Sequence, residues 1–227
     1  MSDQLTAGRR FAAALFDLDG TLLDTAPDIA HALNRLLREQ SRDHLPFEKV
    51  RPQVSHGSVA TVRAGFPDTP PDEFERLRAR FMDLYRERIA VDTRLFDGFE
   101  PTLRELEAAA IPWGVVTNKP GWLTDPLLAA LGLERRAACV LSGDSLDQRK
   151  PHPRPLRVAA SLIGLQAAQC VFVGDAERDI VAARGAGMLA LGARFGYLGS
   201  DDRPEAWQAD GWLDTPSDLL AWFGLQP

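Results

Sequence analysis

The stretch from Phe11 to Thr21 constrains the fold of this chain more than any other part of its sequence. Six apolar residues, Phe11 to Phe16, lead directly into Asp17-Leu18-Asp19-Gly20-Thr21. An apolar run of this length that ends in a turn signal is typical of a strand buried on both faces. Two carboxylates just beyond such a strand can converge on a shared cation. We therefore predict a ligand-binding loop here, with an acidic surface loop as the alternative.

The rest of the sequence divides into a helical block and an alternating block. Apolar residues at helical spacing predict only helices across residues 25–90. Predicted helices then alternate with short apolar strands, which are Trp113–Thr117, Ala138–Leu141, Cys170–Val173, Leu189–Leu191 and Gly211–Leu213. Such alternation indicates an α/β fold with a doubly wound parallel sheet. We expect a Rossmann-like core of residues 1–24 and 95–227, with an all-helical cap inserted as residues 25–94.

Polar residues follow four of the predicted strands, and their side chains are expected to share one pocket. Ligands of doubly wound sheets bind beyond the carboxyl ends of the strands. The residues there are carboxylates, lysines, hydroxyls and an amide, namely Asp17, Asp19, Thr21, Thr117, Asn118, Lys119, Ser142, Asp144, Lys150, Asp175 and Asp179. Carboxylates suit a hard cation such as Mg2+, and lysines and hydroxyls suit phosphate oxygens. The interpretation of Lys119 stays open between a ligand and an ordinary loop charge.

Four segments, in their order along the chain, resemble the motifs of the haloacid dehalogenase superfamily. Asp17–Thr21 matches DxDGT, Thr117 matches the strand-end Thr or Ser, Lys150 matches the motif lysine, and Gly174–Asp179 matches GDxxxD. The position of a helical cap between the first two motifs is also similar. The resemblance implies a Mg2+-dependent phosphatase that forms an aspartyl-phosphate intermediate.

The resemblance also implies catalytic roles for four residues. Asp17 would be the nucleophile that attacks phosphorus. Asp19 would protonate the leaving alcohol and then activate water. Thr117 and Lys150 would hold the transferring phosphoryl group. Because the dehalogenases proper lack the second acid, Asp19 favours a phosphatase.

Binding roles follow from the same resemblance. Mg2+ would be held by Asp17, by the backbone carbonyl of Asp19 and by Asp175. Thr21 and Asn118 would bind phosphate. Asp179 would support Lys150 or a metal-bound water, or else would only cap the helix that begins at Glu177.

The predicted cap is expected to choose the substrate. The turn Ser55-His56-Gly57 is expected to face the leaving group, and the following helix start is suited to a substrate carboxylate. Arg63 would either pair with that carboxylate or lie exposed. Phosphomutases of this family often carry a histidine one turn into the first cap helix, where this chain has Ile29. This difference favours water as the phosphoryl acceptor.

The sequence resembles two subgroups of the family. Its general pattern resembles phosphoglycolate phosphatase. Other segments are closer to the N-acetylmuramic acid 6-phosphate phosphatases of peptidoglycan recycling, namely residues 95–99, 113–120 and 194–199, with the later Trp207 and residues 209–210. We predict that the substrate is N-acetylmuramic acid 6-phosphate, with phosphoglycolate as the alternative. Another sugar-phosphate phosphatase, a phosphomutase, or an inactive binding protein on this fold are further alternatives.

Composition limits the partners. The net charge is −6 and no basic stripe occurs, which argues against nucleic acid and anionic membranes. No apolar run reaches the roughly 20 residues of a membrane span. Residues 1–10 lack the form of a signal peptide, which predicts a cytoplasmic location. Cys139 and Cys170 lie in apolar segments and are predicted to be buried free thiols. We expect a small phosphate monoester as partner, and a monomer or homodimer.

Overall fold

The centre of the molecule is a parallel β-sheet. A computed structural model describes residues 11–226, in which eight strands occur: β1 (Ala13–Phe16), β2 (Leu23–Asp24), β3 (Arg94–Leu95), β4 (Trp113–Val116), β5 (Val140–Leu141), β6 (Cys170–Gly174), β7 (Leu189–Ala193) and β8 (Gly211–Leu213). Six of them form one sheet in the order β5-β4-β1-β6-β7-β8, and every pairing in it is parallel. The remaining two, β2 and β3, pair with each other.

Helices cover the sheet and form a second layer above its edge. In chain order they are α1 (Ala26–Glu39), α2 (Phe47–Val54), α3 (Gly57–Gly65), α4 (Pro71–Arg86), α5 (Phe99–Ala108), α6 (Gly121–Ala130), α7 (Arg154–Leu162), α8 (Glu177–Ala186) and α9 (Leu219–Trp222). The first four follow one another without a strand, and the later ones alternate with strands. The predicted doubly wound α/β fold is therefore confirmed.

Strand β1 is buried on both faces, as its unbroken apolar sequence requires. Ala14 and Phe16 pack in the apolar cluster on one side of the sheet, and Ala13 and Leu15 pack in the cluster on the other side. Alternate residues of a strand point to opposite faces, so both layers of helices rest on these four side chains. The loop that follows β1 is thereby fixed at the centre of the carboxyl edge.

Helices α1 to α4 have an apolar cluster of their own. Its largest members include Phe66, Phe74, Phe81 and Tyr85, and two core residues, Leu123 and Tyr197, join it from below. The chain enters and leaves this helical block through the antiparallel pair β2–β3, in which Leu23 faces Leu95. The sequence analysis did not predict this pair of strands, because strands of two residues show no periodicity. The exact domain boundaries stay a prediction.

Asp28 of α1 connects the segment through which the chain enters the helical block with the segment through which it leaves. Its buried carboxylate accepts hydrogen bonds from the backbone nitrogens of Asp92 at 2.9 Å and Thr93 at 2.8 Å, and from the Thr93 hydroxyl at 2.8 Å. Arg88 Nε lies 3.1 Å from the same carboxylate. A buried charge with this many partners holds the start of α1 against the segment that returns to the core.

Two further sequence predictions concern membrane-spanning helices and the two cysteines. Within residues 11–226, no helix is long and apolar enough to cross a bilayer. Cys139 and Cys170 are buried free thiols, as predicted, and burial raises the pKa of each to about 11. The cytoplasmic location and the oligomeric state stay predictions.

We expect Asp28→Ala to lower the free energy of unfolding by about 3 kcal/mol, because it leaves buried backbone donors and Arg88 without their acceptor. Urea denaturation followed by circular dichroism measures this loss. Asp92→Ala is the matched control, since that carboxylate is half exposed and, among the residues that the structure describes, pairs only with Arg88. Its loss is therefore expected to cost less than about 1 kcal/mol. Equal losses in the two variants would contradict the role of Asp28.

Candidate active site

A pocket of about 400 Å³ lies between the carboxyl edge of the sheet and the helices above it. The residues that line it from the core are mostly polar or charged and include Asp17, Asp19, Thr117, Asn118, Lys119, Lys150 and Arg178. The helical block adds an apolar roof that includes Ile29, Val54, Phe81, Met82 and Tyr85, together with the polar side chains of Ser55, His56, Ser58 and Thr61. A charged floor thus faces an apolar roof.

Lys150 lies at the centre of the charged floor. Its fully buried Nζ is 2.8 Å from Asp17 Oδ1 and 2.8 Å from Asp179 Oδ1. Neither contact has hydrogen-bond angles, so the two are ion pairs. Asp179 also accepts the backbone N–H of Ala176 at 3.1 Å, at the start of α8. Both sequence interpretations of Asp179, as a helix cap and as a partner of Lys150, therefore describe its contacts.

Asp17 is held in its ionised form. Burial acts to raise its pKa, but attraction to Lys150 and Arg178 outweighs burial, so the pKa lies below its ordinary value. The backbone N–H of Leu18 adds a hydrogen bond of 2.7 Å to Oδ1. Among residues 11–226, all these polar contacts fall on Oδ1. Asp17 therefore has the charge state that a nucleophilic carboxylate requires.

Asp175 lies beside Asp17 and is crowded by other acids. It accepts hydrogen bonds from the hydroxyls of Thr21 at 3.2 Å and Ser55 at 2.5 Å, and from the backbone nitrogen of Tyr197 at 3.0 Å. Burial, together with repulsion from Asp17 and Asp179, raises its pKa to about 7. In the part of the chain that the structure describes, no lysine or arginine forms an ion pair with this carboxyl group.

Gly20 makes the close approach to Asp175 possible. Its φ is +83°, a conformation that residues with a Cβ rarely adopt, and a Cβ there would lie 2.2 Å from Asp175 Oδ2. The glycine of the first motif is thus required by both its backbone conformation and its neighbour.

The acidic cluster fits a divalent cation. Carboxylate oxygens of Asp17, Asp175 and Asp179 all lie within 4.8 Å of one another. Among residues 11–226, Lys150 is the cation that forms ion pairs with them, while Arg178 attracts them without direct contact, so the three acids still outnumber the two cations. This excess of negative charge, which the raised pKa of Asp175 reflects, and the hard oxygen donors both suit Mg2+. The cluster includes Asp179, whereas the sequence interpretation used the backbone carbonyl of Asp19 as the further ligand.

The carboxylate of Asp19 is held apart from this cluster. Its Oδ1 accepts the Thr25 hydroxyl at 2.6 Å and lies 3.0 Å from Lys119 Nζ. Lys119 in turn donates to the Tyr85 hydroxyl of α4 at 3.2 Å. Lys119 is thus a site residue. Thr25 occupies the N-cap position of α1, but its hydroxyl makes no capping hydrogen bond and donates to Asp19 instead.

Three predicted phosphate-binding residues already have partners in the structure. The Thr117 hydroxyl accepts the backbone N–H of Lys119 at 3.1 Å while lining the pocket. Asn118 Nδ2 donates to the carbonyl oxygen of Lys150 at 2.8 Å, which fixes the loop that carries the lysine. Thr21 is fully buried against Asp175.

The predicted cap turn lies at the pocket, with a different role for each residue. Ser55 lines the pocket and donates its hydroxyl to Asp175. His56 is exposed at the rim, with Nε2 3.8 Å from Asp202 Oδ1. Gly57 begins α3 with a φ of +83°.

Arg63 proved to be a structural residue of the helical block. Its guanidinium donates to the carbonyls of Phe66, Pro67 and Thr69, and lies 3.8 Å from the ring centroid of Phe74. These contacts hold the loop between α3 and α4. They correct the sequence interpretation, in which Arg63 either pairs with a substrate carboxylate or lies exposed.

Sequence reasoning missed Arg178 and Arg149. Arg178 is the second residue of α8, lines the pocket and lowers the pKa of Asp17. In the described part of the chain its guanidinium has no hydrogen-bond or ion-pair partner. Arg149 lines the rim beside Lys150. The motifs leave both positions unspecified, so only the fold reveals them.

Comparison with known proteins identifies the family. A sequence model described as haloacid dehalogenase-like hydrolase matches residues 14–193. The chain belongs to this family. The resemblance found in the sequence is thereby confirmed, and the protein is a phosphoric monoester hydrolase.

Individual members of the family align over nearly their whole length. A phosphoglycolate phosphatase of Xanthomonas campestris pv. campestris is 46% identical over 91% of this chain and 94% of its own. An N-acetylmuramic acid 6-phosphate phosphatase of Pseudomonas putida is 39% identical over 92% and 95%. The crystal structure of a predicted phosphoglycolate phosphatase from Haemophilus somnus superposes with a TM-score of 0.84 at 30% identity, covering 94% and 98%.

We expect the affinity for Mg2+ to depend on pH through Asp175. Because its pKa is raised from 3.8 to about 7, the metal-free site keeps a proton below about pH 7, which the cation must displace. The affinity should fall about tenfold per pH unit below this value and level off above it. Titration calorimetry at several pH values measures this dependence, together with the protons released.

Asp175→Asn is the control for this measurement, because it removes the titrating group and should abolish the slope along with much of the affinity. A wild-type affinity that stays constant between about pH 5.5 and pH 8 would contradict the raised pKa.

Proposed function

We propose that this phosphatase hydrolyses N-acetylmuramic acid 6-phosphate in a Mg2+-dependent reaction through an aspartyl-phosphate on Asp17. The size and lining of the pocket carry this proposal. A volume of about 400 Å³ above Asp17 lies within the range of pockets that enclose a whole small ligand. The apolar roof suits the methyl groups of the acetamido and lactyl substituents. A short two-carbon acid would leave much of this wall without contact.

Asp17 is suited to begin the reaction as nucleophile. Lys150 and the Leu18 N–H hold Oδ1, which leaves Oδ2 to attack phosphorus. The new Oδ2–P bond forms as the bond from phosphorus to the sugar oxygen breaks. Lys150, Thr117 and Arg178 surround this region and would stabilise negative charge on the transferring group.

Asp19 is placed to move the proton. It would give a proton to the departing sugar oxygen and, in the second step, take one from the water that attacks the aspartyl-phosphate. This second step releases inorganic phosphate and restores Asp17. Contacts with Thr25 and Lys119 hold the carboxylate of Asp19 on the side of the pocket that faces the helical block.

The acidic cluster would hold the cation. Asp17, the backbone carbonyl of Asp19 and Asp175 are the proposed ligands, and Asp179 supports Lys150 from behind. When bound, Mg2+ supplies positive charge to the phosphoryl oxygens.

Water is the proposed acceptor of the phosphoryl group. Ile29, which replaces the histidine of the family's phosphomutases, lines the pocket and is almost fully buried. An aliphatic side chain cannot exchange a proton with a second hydroxyl of the substrate. This observation supports hydrolysis over transfer within the substrate.

Phosphoglycolate is the second candidate substrate. The 46% identical relative bears the name of that activity, and the floor of the pocket carries Lys119 and Arg178 near Asp17, which suits a small acid with several negative charges. Both candidates combine a carboxylate with a phosphate monoester, so their sizes distinguish them.

Release of phosphate from N-acetylmuramic acid 6-phosphate and from 2-phosphoglycolate, measured side by side with Mg2+, tests the proposal. We expect kcat/KM for the amino sugar to be at least about tenfold higher, which corresponds to about 1.4 kcal/mol of additional transition-state binding. A preference for phosphoglycolate of that size would contradict the assignment and support the second candidate.

Asp17→Asn is the control in both assays and is expected to abolish turnover, because an amide is not a nucleophile for phosphorus. Full activity in this variant would contradict the mechanism independently of the substrate. If the wild-type protein released no phosphate from any monoester, the alternative of an inactive binding protein would be supported.

A further inference from the structure

A second groove extends the pocket toward the outside. It has a volume of about 460 Å³, and its lining includes Arg78 of α4 and Trp122 of α6. Ser58, Asn118 and Arg149 line both the groove and the pocket. The two cavities therefore meet, and a ligand whose phosphate lies at Asp17 can extend into the groove. We call this second cavity the side groove.

Arg149 stands at the junction of the two cavities with a free guanidinium group. Within residues 11–226 its side chain makes no hydrogen bond or ion pair. Other arginines nearby are engaged: Arg154 pairs with Asp147, Arg157 donates to a backbone carbonyl, and Arg78 pairs with Glu75. An arginine that lines a pocket without a partner is available to a ligand.

The backbone fixes Arg149 at a defined place relative to the reacting phosphate. Arg149 immediately precedes Lys150, whose carbonyl accepts the Asn118 side chain at 2.8 Å. The carbonyl of Arg149 accepts the backbone N–H of His152 at 2.9 Å. Lys150 is buried against Asp17, whereas Arg149 is exposed at the junction. One short loop thus supplies a cation to each end of the pocket.

We propose that Arg149 binds a carboxylate on the leaving group of the substrate and so selects acidic sugar phosphates; this inference rests on the proposed function. A guanidinium matches a carboxylate through two parallel hydrogen bonds. Arg63 is occupied within the helical block, and Lys119 is paired with Asp19. Arg178 acts on Asp17 at the other end of the pocket and does not line the side groove. Arg149 is thus the arginine at the junction that a second anionic group of the substrate would meet.

Other charges of the side groove limit where an anion can lie. Asp83 and Asp144 also line it, and Asp144 is engaged with the backbone N–H of Gly121 at 2.8 Å. Their negative charge disfavours an anion deep in the side groove. The carboxylate is therefore expected at its junction with the pocket, beside Arg149.

Two substrates that differ in the carboxylate test this inference. N-acetylglucosamine 6-phosphate lacks the lactyl group of N-acetylmuramic acid 6-phosphate but is otherwise the same. The readout is the specificity ratio, defined as kcat/KM for the acidic sugar divided by kcat/KM for the neutral one. We expect Arg149→Gln to lower this ratio about tenfold, mainly through KM, because the carboxylate takes no part in the reaction.

Two further variants make the test specific. Arg149→Lys keeps the charge but loses the paired hydrogen bonds, so its ratio is expected to lie between those of the wild type and Arg149→Gln. Arg154→Gln removes an exposed arginine at the start of α7 that does not line either cavity and is expected to leave the ratio unchanged. An unchanged ratio in Arg149→Gln would overturn the inference.

Failure of the proposed function gives a different result. If the wild type hydrolysed neither sugar phosphate, the proposed substrate would be wrong, and the same variants would be measured with 2-phosphoglycolate and ethyl phosphate. For that pair the ratio is kcat/KM for 2-phosphoglycolate divided by kcat/KM for ethyl phosphate. A lower value of this ratio in Arg149→Gln would support carboxylate binding by Arg149. No change in that pair would overturn it.

Discussion

The contact of one buried lysine with two carboxylates is the interaction on which the site depends. Lys150 lies 2.8 Å from both Asp17 and Asp179, and without it three buried acids would repel one another. Removing one partner of such a buried pair typically costs about 3–5 kcal/mol. The Asn118 side chain donates a hydrogen bond to the backbone carbonyl of Lys150. The carboxylate of Asp179 accepts one from the backbone N–H of Ala176 at the start of α8. The loop after β1 can therefore keep Asp17 ionised inside the protein.

A second set of contacts connects this cluster to the helices above it. Tyr197 donates its backbone N–H to Asp175, and its hydroxyl bonds to Asp24 at 2.6 Å and to the backbone N–H of Ala26 at 2.8 Å. Arg51 of α2 lies 4.8 Å from the ring centroid of Tyr197. Ser55 reaches Asp175 from the same side. The roof of the pocket and its acidic floor thus share Asp175, so their positions are coupled.

The parts of this structure that the sequence predicted are those with a strong local pattern. The apolar run before Asp17 predicted a strand buried on both faces, and parallel topology then brings Asp17, Thr117, Lys150 and Asp175 to one edge. Contacts between distant side chains have no such signal. The sequence around Arg149, whose guanidinium is free, gives no sign of how it differs from Arg63, whose guanidinium binds backbone carbonyls of the following loop. The hydroxyl of Thr25 could likewise accept a backbone N–H of α1 as a helix cap, but in the fold it donates to Asp19 instead.

The aspartyl-phosphate on Asp17 is the central claim, and Asp19→Asn with p-nitrophenyl phosphate tests it most directly. Nitrophenolate leaves without a proton, so this variant should complete the first step and stall in the second, which needs Asp19 as base. The account predicts a burst of nitrophenolate equal to the enzyme concentration. It also predicts a phosphoryl group on the Asp17 peptide after acid quenching, detected by mass spectrometry. Absence of both signals, or a phosphoryl group on another residue, would contradict the account.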